Sequence, residues 1–129
     1  MEVNELKNLL SDFNKDLIFE CDLKKKNWFN IGGKANVFYK ADNLKDLINF
    51  LKKLDGNEKI FILGAGSNTL ISDNLFNGVV IKLGKNFGKI SLHGKDVIIA
   101  GSSVLDKSLS DFAMNNNLSG FEFLSCIPG

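Results

Sequence analysis

The sequence predicts a single α+β domain. Three observations carry that prediction: an amphipathic helix between two apolar runs over residues 36–63, a hairpin signal over 90–100, and 44% hydrophobic residues at a net charge of +1 in 129 residues. Strand, helix and strand with short connections read as a βαβ unit, whose second strand runs parallel to the first. A chain of this length buries a real core. Its balance of apolar and charged residues belongs to globular chains, not disordered ones. No stretch approaches the ~20 apolar residues of a membrane span.

Val3, Leu6, Leu9, Leu10 and Phe13 recur at helical spacing, which predicts a helix over 3–14. Leu17-Ile18-Phe19 is a short strand, residues 22–30 are polar and irregular, and 36–40 is a second strand. Asn43 is an N-cap with Asp46 three residues on. Leu44, Leu47, Ile48, Leu51 and Leu54 then form one apolar stripe, with Gly56 near the helix end. Ile60–Leu63 reads as a buried strand, being short, apolar and partly β-branched. Strands follow at 78–83, 90–93 and 97–100, the last two flanking a turn at Gly94-Lys95. Ser103 and Asp106 resemble a capping box. Leu105, Leu109, Phe112 and Ala113 continue that helix until the Asn115–Asn117 run ends it.

Composition excludes several kinds of chemistry. All sixteen basic residues are Lys, so the two-pronged anion recognition of Arg is absent. Near-neutral charge argues against nucleic-acid binding, and Lys24-Lys25-Lys26 reads as a solvated loop. The single histidine, His93, sits beside a turn and removes most hydrolase templates and His-based metal sites. No catalytic residue and no metal ligand is assigned. Cys21 and Cys126 lack metal spacing, and Met1–Glu5 lacks a basic region and an apolar signal core, so a cytoplasmic, reduced setting is expected. The eleven Phe residues are read more simply as core than as a surface for stacking a flavin.

One stretch stands out: Ile60-Phe61-Ile62-Leu63-Gly64-Ala65-Gly66-Ser67-Asn68. A strand runs into a glycine-spaced loop. Two residues without side chains let the backbone bend and let a ligand come close. Consecutive amides there form a concave anion site, with Ser67 and Asn68 as edge donors. A tight turn after a strand explains the same residues equally well. Thr69 replaces the third glycine of the dinucleotide fingerprint, and the Gly-Lys-Ser/Thr ending of a Walker A loop is missing. A phosphate held here is held outside both common architectures.

Three segments, in order, resemble the MurB family, UDP-N-acetylmuramate dehydrogenase (also called UDP-N-acetylenolpyruvoylglucosamine reductase). They are Asn27-Trp28-Phe29-Asn30-Ile31-Gly32-Gly33-Lys34-Ala35, Leu63-Gly64-Ala65-Gly66-Ser67-Asn68, and Gly120-Phe121-Glu122-Phe123-Leu124 leading to Ile127-Pro128-Gly129. The likeness runs from about residue 17 onward. It departs from the family pattern at Asn27, Thr69 and Cys126, where the family often has Thr, an apolar residue and Gly.

The resemblance implies an FAD-binding domain of the vanillyl-alcohol-oxidase (PCMH) type, incomplete over 1–129. The substrate-binding C-terminal domain, with the family's catalytic Ser, Glu and Arg, would lie beyond Gly129. It implies a cytosolic flavoenzyme of peptidoglycan precursor synthesis. In that family NADPH reduces FAD, and FAD reduces the enolpyruvyl group of a UDP-sugar. Gly64, Ala65, Gly66, Ser67, Asn68 and Thr69 would wrap the FAD diphosphate. Ile127, Pro128 and Gly129 would wall the flavin, and Gly101 would be a further contact. Ile31-Gly32-Gly33 would shape the mouth of the domain. The alternative is a stand-alone or remnant flavin- or nucleotide-binding module without catalysis. In either case the isolated chain is expected to bind FAD poorly and to be inactive alone.

Overall fold

The computed structural model describes residues 3–13, 15–54, 56 and 58–127. Among the described residues, two sheets and three α-helices make up the mixed α and β fold. The larger sheet has four strands: β1 (Leu17–Asp22), β2 (Lys34–Ala41), β3 (Ile60–Ile62) and β4 (Phe76–Leu83). Their spatial order is β1-β2-β4-β3, with β1 antiparallel to β2 and the other pairs parallel. Helix α2 (Leu44–Leu54) connects β2 to β3, as the βαβ pattern predicts. The two strands are parallel but not neighbours, because β4 inserts between them.

Insertion at the centre explains β4's composition. Val79 and Ile81 face one side with Val37, Tyr39 and Ala41 of β2; Val80 faces the other with Ala35 and Phe38. A strand buried on both faces needs a continuous apolar run. Ala35 and Val37 would share a face by strict alternation, yet they join opposite clusters. The register shift between them is the cause.

Helix α1 (Val3–Leu9) is shorter than the 3–14 helix predicted, and Asn14 lies outside the described residues. The chain tightens into a 3₁₀ turn at Ser11–Phe13, with Phe13 N donating to Leu10 O at 2.9 Å. That turn brings Phe13 edge-on to Tyr39 and Phe50, at ring centroid separations of 6.1 and 5.5 Å. Tyr39 and Phe50 stack at 3.9 Å. Such pairs contribute roughly 0.5–1.5 kcal/mol each beyond the area they bury.

The aromatic trio also sets the rotation of α2. Phe50 and Leu54 are buried and Leu47 packs against them, while Leu44, Ile48 and Leu51 are exposed. The predicted five-residue stripe is therefore corrected: the helix buries the side carrying the aromatic ring. Asn43 caps as expected, accepting from Asp46 N at 2.9 Å while its amide donates to the Asp46 carboxylate.

Strand β3 is a second correction. Its apolar run predicts burial, but Ile60, Phe61 and Ile62 are 42%, 42% and 58% exposed. The strand lies at the sheet's end, paired through one side only.

Strands β5 (Ile90–His93) and β6 (Val97–Ala100) form the predicted hairpin, with His93 opposite Val97 and Gly94 at φ 69° in the connection. Helix α3 (Asp106–Asn115) starts later than the Ser103 cap predicts. Leu105 occupies the N-cap, and the Ser103 hydroxyl donates to Gly84 O at 3.0 Å, tying this segment to the end of β4. The asparagine run ends α3 as expected, with Asn117 at φ 58°. A 3₁₀ turn over Glu122–Cys126 follows. Among the described residues no helix is long and apolar enough to cross a membrane.

Candidate functional site

Three parallel strands, β2, β4 and β3, end at the same edge of the sheet. The carboxyl end of a parallel sheet is the usual place for a ligand. Here β3 delivers the chain into the glycine loop. Leu63 N donates to Ile81 O at 2.8 Å, the last sheet bond before the loop begins.

The loop is braced from one side and open on the other. Gly66 has φ 76°, and a Cβ there would lie 2.5 Å from Lys26 O and 2.9 Å from Asn27 Cα. Only glycine fits both the conformation and the approach. Trp28 N donates to Gly66 O at 2.9 Å, and Asn27 Nδ2 donates to Leu23 O and Ile31 O at 2.9 and 2.8 Å. The 27–35 segment thus holds the loop from below. A Cβ on Gly64, by contrast, would meet nothing within 4 Å.

Among the described residues, the amides of this loop have no backbone acceptor. None of the backbone–backbone hydrogen bonds among the described residues is donated by the amides of Gly64, Ala65, Gly66, Ser67, Asn68 or Thr69. The Ser67 hydroxyl oxygen is buried without a partner among the described residues, as is Asn27 Oδ1. Unsatisfied donors next to an open approach, with no carboxylate in the loop, are what an anion needs. By that test these residues suit an anionic group such as a diphosphate.

Two grooves flank the loop. One, of about 470 Å³, is lined by Ile62–Ala65, Lys82, Leu83 and Ser102–Leu105. The other, of about 430 Å³, is lined by Lys25–Trp28, Phe38, Lys40, Ala65 and Lys82. Ala65 and Lys82 belong to both. Sequence reasoning missed Ser102–Leu105 and the lysines. Lys40 and Lys82 become neighbours only through the β2–β4 register, and Lys25 and Lys26 only through the brace on Gly66.

Gly64 to Asn68 stay together in the loop. Thr69 turns to the other side and lines a separate apolar cavity of about 410 Å³ with Leu23, Phe61, Ile71 and Phe76. Gly101 is a close-packing glycine: its Cβ would lie 2.0 Å from Phe87 O, and its amide donates to Lys89 O at 2.8 Å. Ile127 is exposed after the 3₁₀ turn and lines neither groove. Pro128 and Gly129 lie outside the described residues. Gly32 and Gly33 admit the returning segment: their Cβ atoms would lie 2.7 Å from Ile71 and 2.3 Å from Asp73 O. The Lys24–Lys26 run is a 3₁₀ turn with two of its lysines on a groove. Cys21 is buried, and burial pushes its thiol pKa up, leaving it a poor nucleophile.

No protein-family model matches the chain. A UDP-N-acetylenolpyruvoylglucosamine reductase from Pelagibacter ubique (strain HTCC1062) is 61% identical over 129 residues, all of this chain and 43% of the relative. The chain belongs to the UDP-N-acetylenolpyruvoylglucosamine reductase (MurB) family. The reductase of that name from Orientia tsutsugamushi (strain Ikeda) is 45% identical over 105 residues, 79% of this chain and 35% of the relative. The crystal structure of the MurB from Thermus caldophilus superposes with a TM-score of 0.63 at 25% identity, covering 88% of this chain and 38% of that one. The chain thus spans less than half the length of these MurB relatives. Of the three segments that resemble the MurB family, the first two meet in space through the Trp28–Gly66 hydrogen bond.

Proposed function

We propose that this chain supplies the FAD-binding part of an NADPH-dependent UDP-N-acetylenolpyruvoylglucosamine reductase, acting in the cytoplasm on a UDP-sugar of peptidoglycan precursor synthesis. The observation that carries the reading is the run of unengaged amides from Gly64 to Asn68 at the carboxyl end of three parallel strands. These amides and the Ser67 hydroxyl would hold the FAD diphosphate, and Gly64 leaves the approach clear. Ser102–Leu105, fixed by the Ser103–Gly84 hydrogen bond, would form the facing wall. FAD, when bound, supplies the hydride chemistry between NADPH and the enolpyruvyl double bond. The residues of this chain bind and orient: no carboxylate, imidazole or thiol lines the groove beside the loop, so no proton-transfer role is given to any of them.

The test is a titration of the chain with FAD, followed by flavin fluorescence. Binding weaker than about 1 μM, lost in Gly66→Ala, is the expected result. No flavin response at millimolar concentration overturns the reading.

A further inference from the structure

Residues 23–35, which lead from β1 into β2, hold four lysines (Lys24, Lys25, Lys26 and Lys34) and no acidic residue, while the whole chain has a net charge of only +1. Outside this stretch the chain is therefore net acidic. Among the described residues no ion pair reaches any of the four lysines. Asp22, just before the stretch, spends a carboxylate oxygen on Lys24 N at 2.9 Å. At the tip of the same stretch Trp28, Phe29 and Ile31 are 73%, 53% and 44% exposed. Single exposed apolar side chains are ordinary, but three in four consecutive positions form a patch. Lys25 and Lys26 share a groove wall with Trp28, which puts cations beside that patch.

The tip is held in shape from inside. The buried Asn27 amide donates to Leu23 O and Ile31 O at 2.9 and 2.8 Å, and Leu23 N donates to Gly33 O at 3.0 Å. Asn30 turns the chain at φ 55°, and its side chain donates to Trp28 O at 3.2 Å. A braced turn cannot fold its apolar side chains inward, so they stay in water until something apolar covers them. Phe29 and Ile31 line neither groove beside the glycine loop, so the flavin reading gives them no task.

The chemistry selects the partner. Aromatic side chains settle where lipid headgroups meet acyl chains, and Ile31 suits the acyl side of that boundary. Lysines are point charges that match the diffuse negative field of an anionic leaflet, and the forked phosphate recognition of Arg is absent from the chain. A nucleic acid offers bases for Trp28 but nothing for Ile31. We propose that the 23–35 excursion is a peripheral membrane-contact loop: Trp28, Phe29 and Ile31 enter the interface of an anionic phospholipid bilayer while Lys24 and Lys25 meet its headgroups. The contact stands apart from the flavin reading and spans nothing.

The chain is mixed with phosphatidylcholine vesicles containing phosphatidylglycerol. Binding is read by co-sedimentation and by the emission of Trp28, the only tryptophan. At about 0.1 M salt the expected result is co-sedimentation, with Trp28 emission shifted to the blue and shielded from acrylamide. Pure phosphatidylcholine vesicles should bind at least about tenfold less, as should wild type at about 1 M salt. A lysine near an anionic surface contributes about fivefold, so Lys24→Gln with Lys25→Gln should weaken binding at least about tenfold. Phe29→Ser with Ile31→Ser should weaken it as much, with circular dichroism unchanged because both side chains are exposed. Phe29→Ser alone should act in the same direction if the pair unfolds. Lys95→Glu, in the hairpin turn, and Ile99→Ser, exposed elsewhere, should leave binding unchanged. No co-sedimentation, equal binding to both vesicle types, or equal binding of wild type and loop variants overturns the proposal. Inorganic phosphate or an oligonucleotide that shifts Trp28 emission without vesicles, at matched ionic strength, assigns the loop to a soluble anion or a nucleic acid and overturns it likewise.

Discussion

Residues 3–83 and residues 85–127 differ sharply in how they are held. The first region contains every buried apolar side chain of the described residues except Ala113. Its two clusters sandwich β2 and β4 from both faces. The second is a two-stranded hairpin, a helix and a 3₁₀ turn that expose Leu92, Val97, Ile99, Leu105, Met114 and Phe123. An isolated two-stranded hairpin is marginal by itself. The difference teaches that secondary structure and stability have separate origins here. The hairpin forms from local turn chemistry, while the sheet is fixed by area buried on both sides.

The largest expected effect follows from that contrast. Phe50→Ala removes the ring stacked on Tyr39 and should lower unfolding free energy by about 3–5 kcal/mol in a denaturant titration. Ile99→Ala, at 56% exposure, should stay within about 0.5 kcal/mol; equal losses from both would break the comparison.

The glycine loop sharpens it next. Gly66→Ala forces a side chain into φ 76° and against Lys26 O, so it should cost at least about 1–2 kcal/mol. Gly64→Ala meets open space and should leave the melting temperature nearly unchanged. Asn43→Ala removes the hydrogen bond to Asp46 N and should cost about 1 kcal/mol by the same measurement.

Tyr39→Phe should act in the opposite direction. The phenol oxygen is buried with no partner among the described residues, so its removal should be neutral or stabilising by up to about 1 kcal/mol. Burial, with Asp46, Asp16 and Asp42 adding to it, pushes the Tyr39 pKa up to about 12 from 10.0. The folded state therefore disfavours the phenolate. This stability is fully present below pH 10 and is lost as pH rises through 12. Wild type should lose more stability than Tyr39→Phe across that window, as read by melting temperature against pH.

The smallest effect is in exchange kinetics. Amides of β2 and β4 should exchange with solvent only through global opening, and those of β5 and β6 through local opening. Equal protection would show the hairpin to be as firmly held as the sheet.

What was legible in the sequence was local. The Asn43 cap, the asparagine stop after α3, the Gly94 turn and the glycine loop each depend on a few adjacent residues. What was not legible depends on distant ones. Nothing near Val79 says that β4 enters between β2 and β3, and nothing near Ile60 says that β3 is left at the end. Phe50 outranks the Leu44–Ile48–Leu51 series because its partners, Phe13 and Tyr39, come from other elements. Ser103 and Asp106 have capping-box spacing, yet Ser103 finds a better acceptor in Gly84 O, 19 residues away. The candidate site divides in the same way. Its amides follow from Gly64 and Gly66, while its lysine groove exists only once the β2 and β4 register is set.

Strand β3 carries a consequence for the behaviour of the protein in concentrated solution. Ile60, Phe61 and Ile62 present apolar side chains on both faces of a terminal strand, with one side of the backbone unpaired by the sheet. Such a border is a template onto which a neighbouring molecule can add its own strand. Lys59, immediately before it, acts as a charged gatekeeper against that growth. Clumping of this protein at high concentration would start at this border, and a charge placed at Ile62 would be the direct way to suppress it.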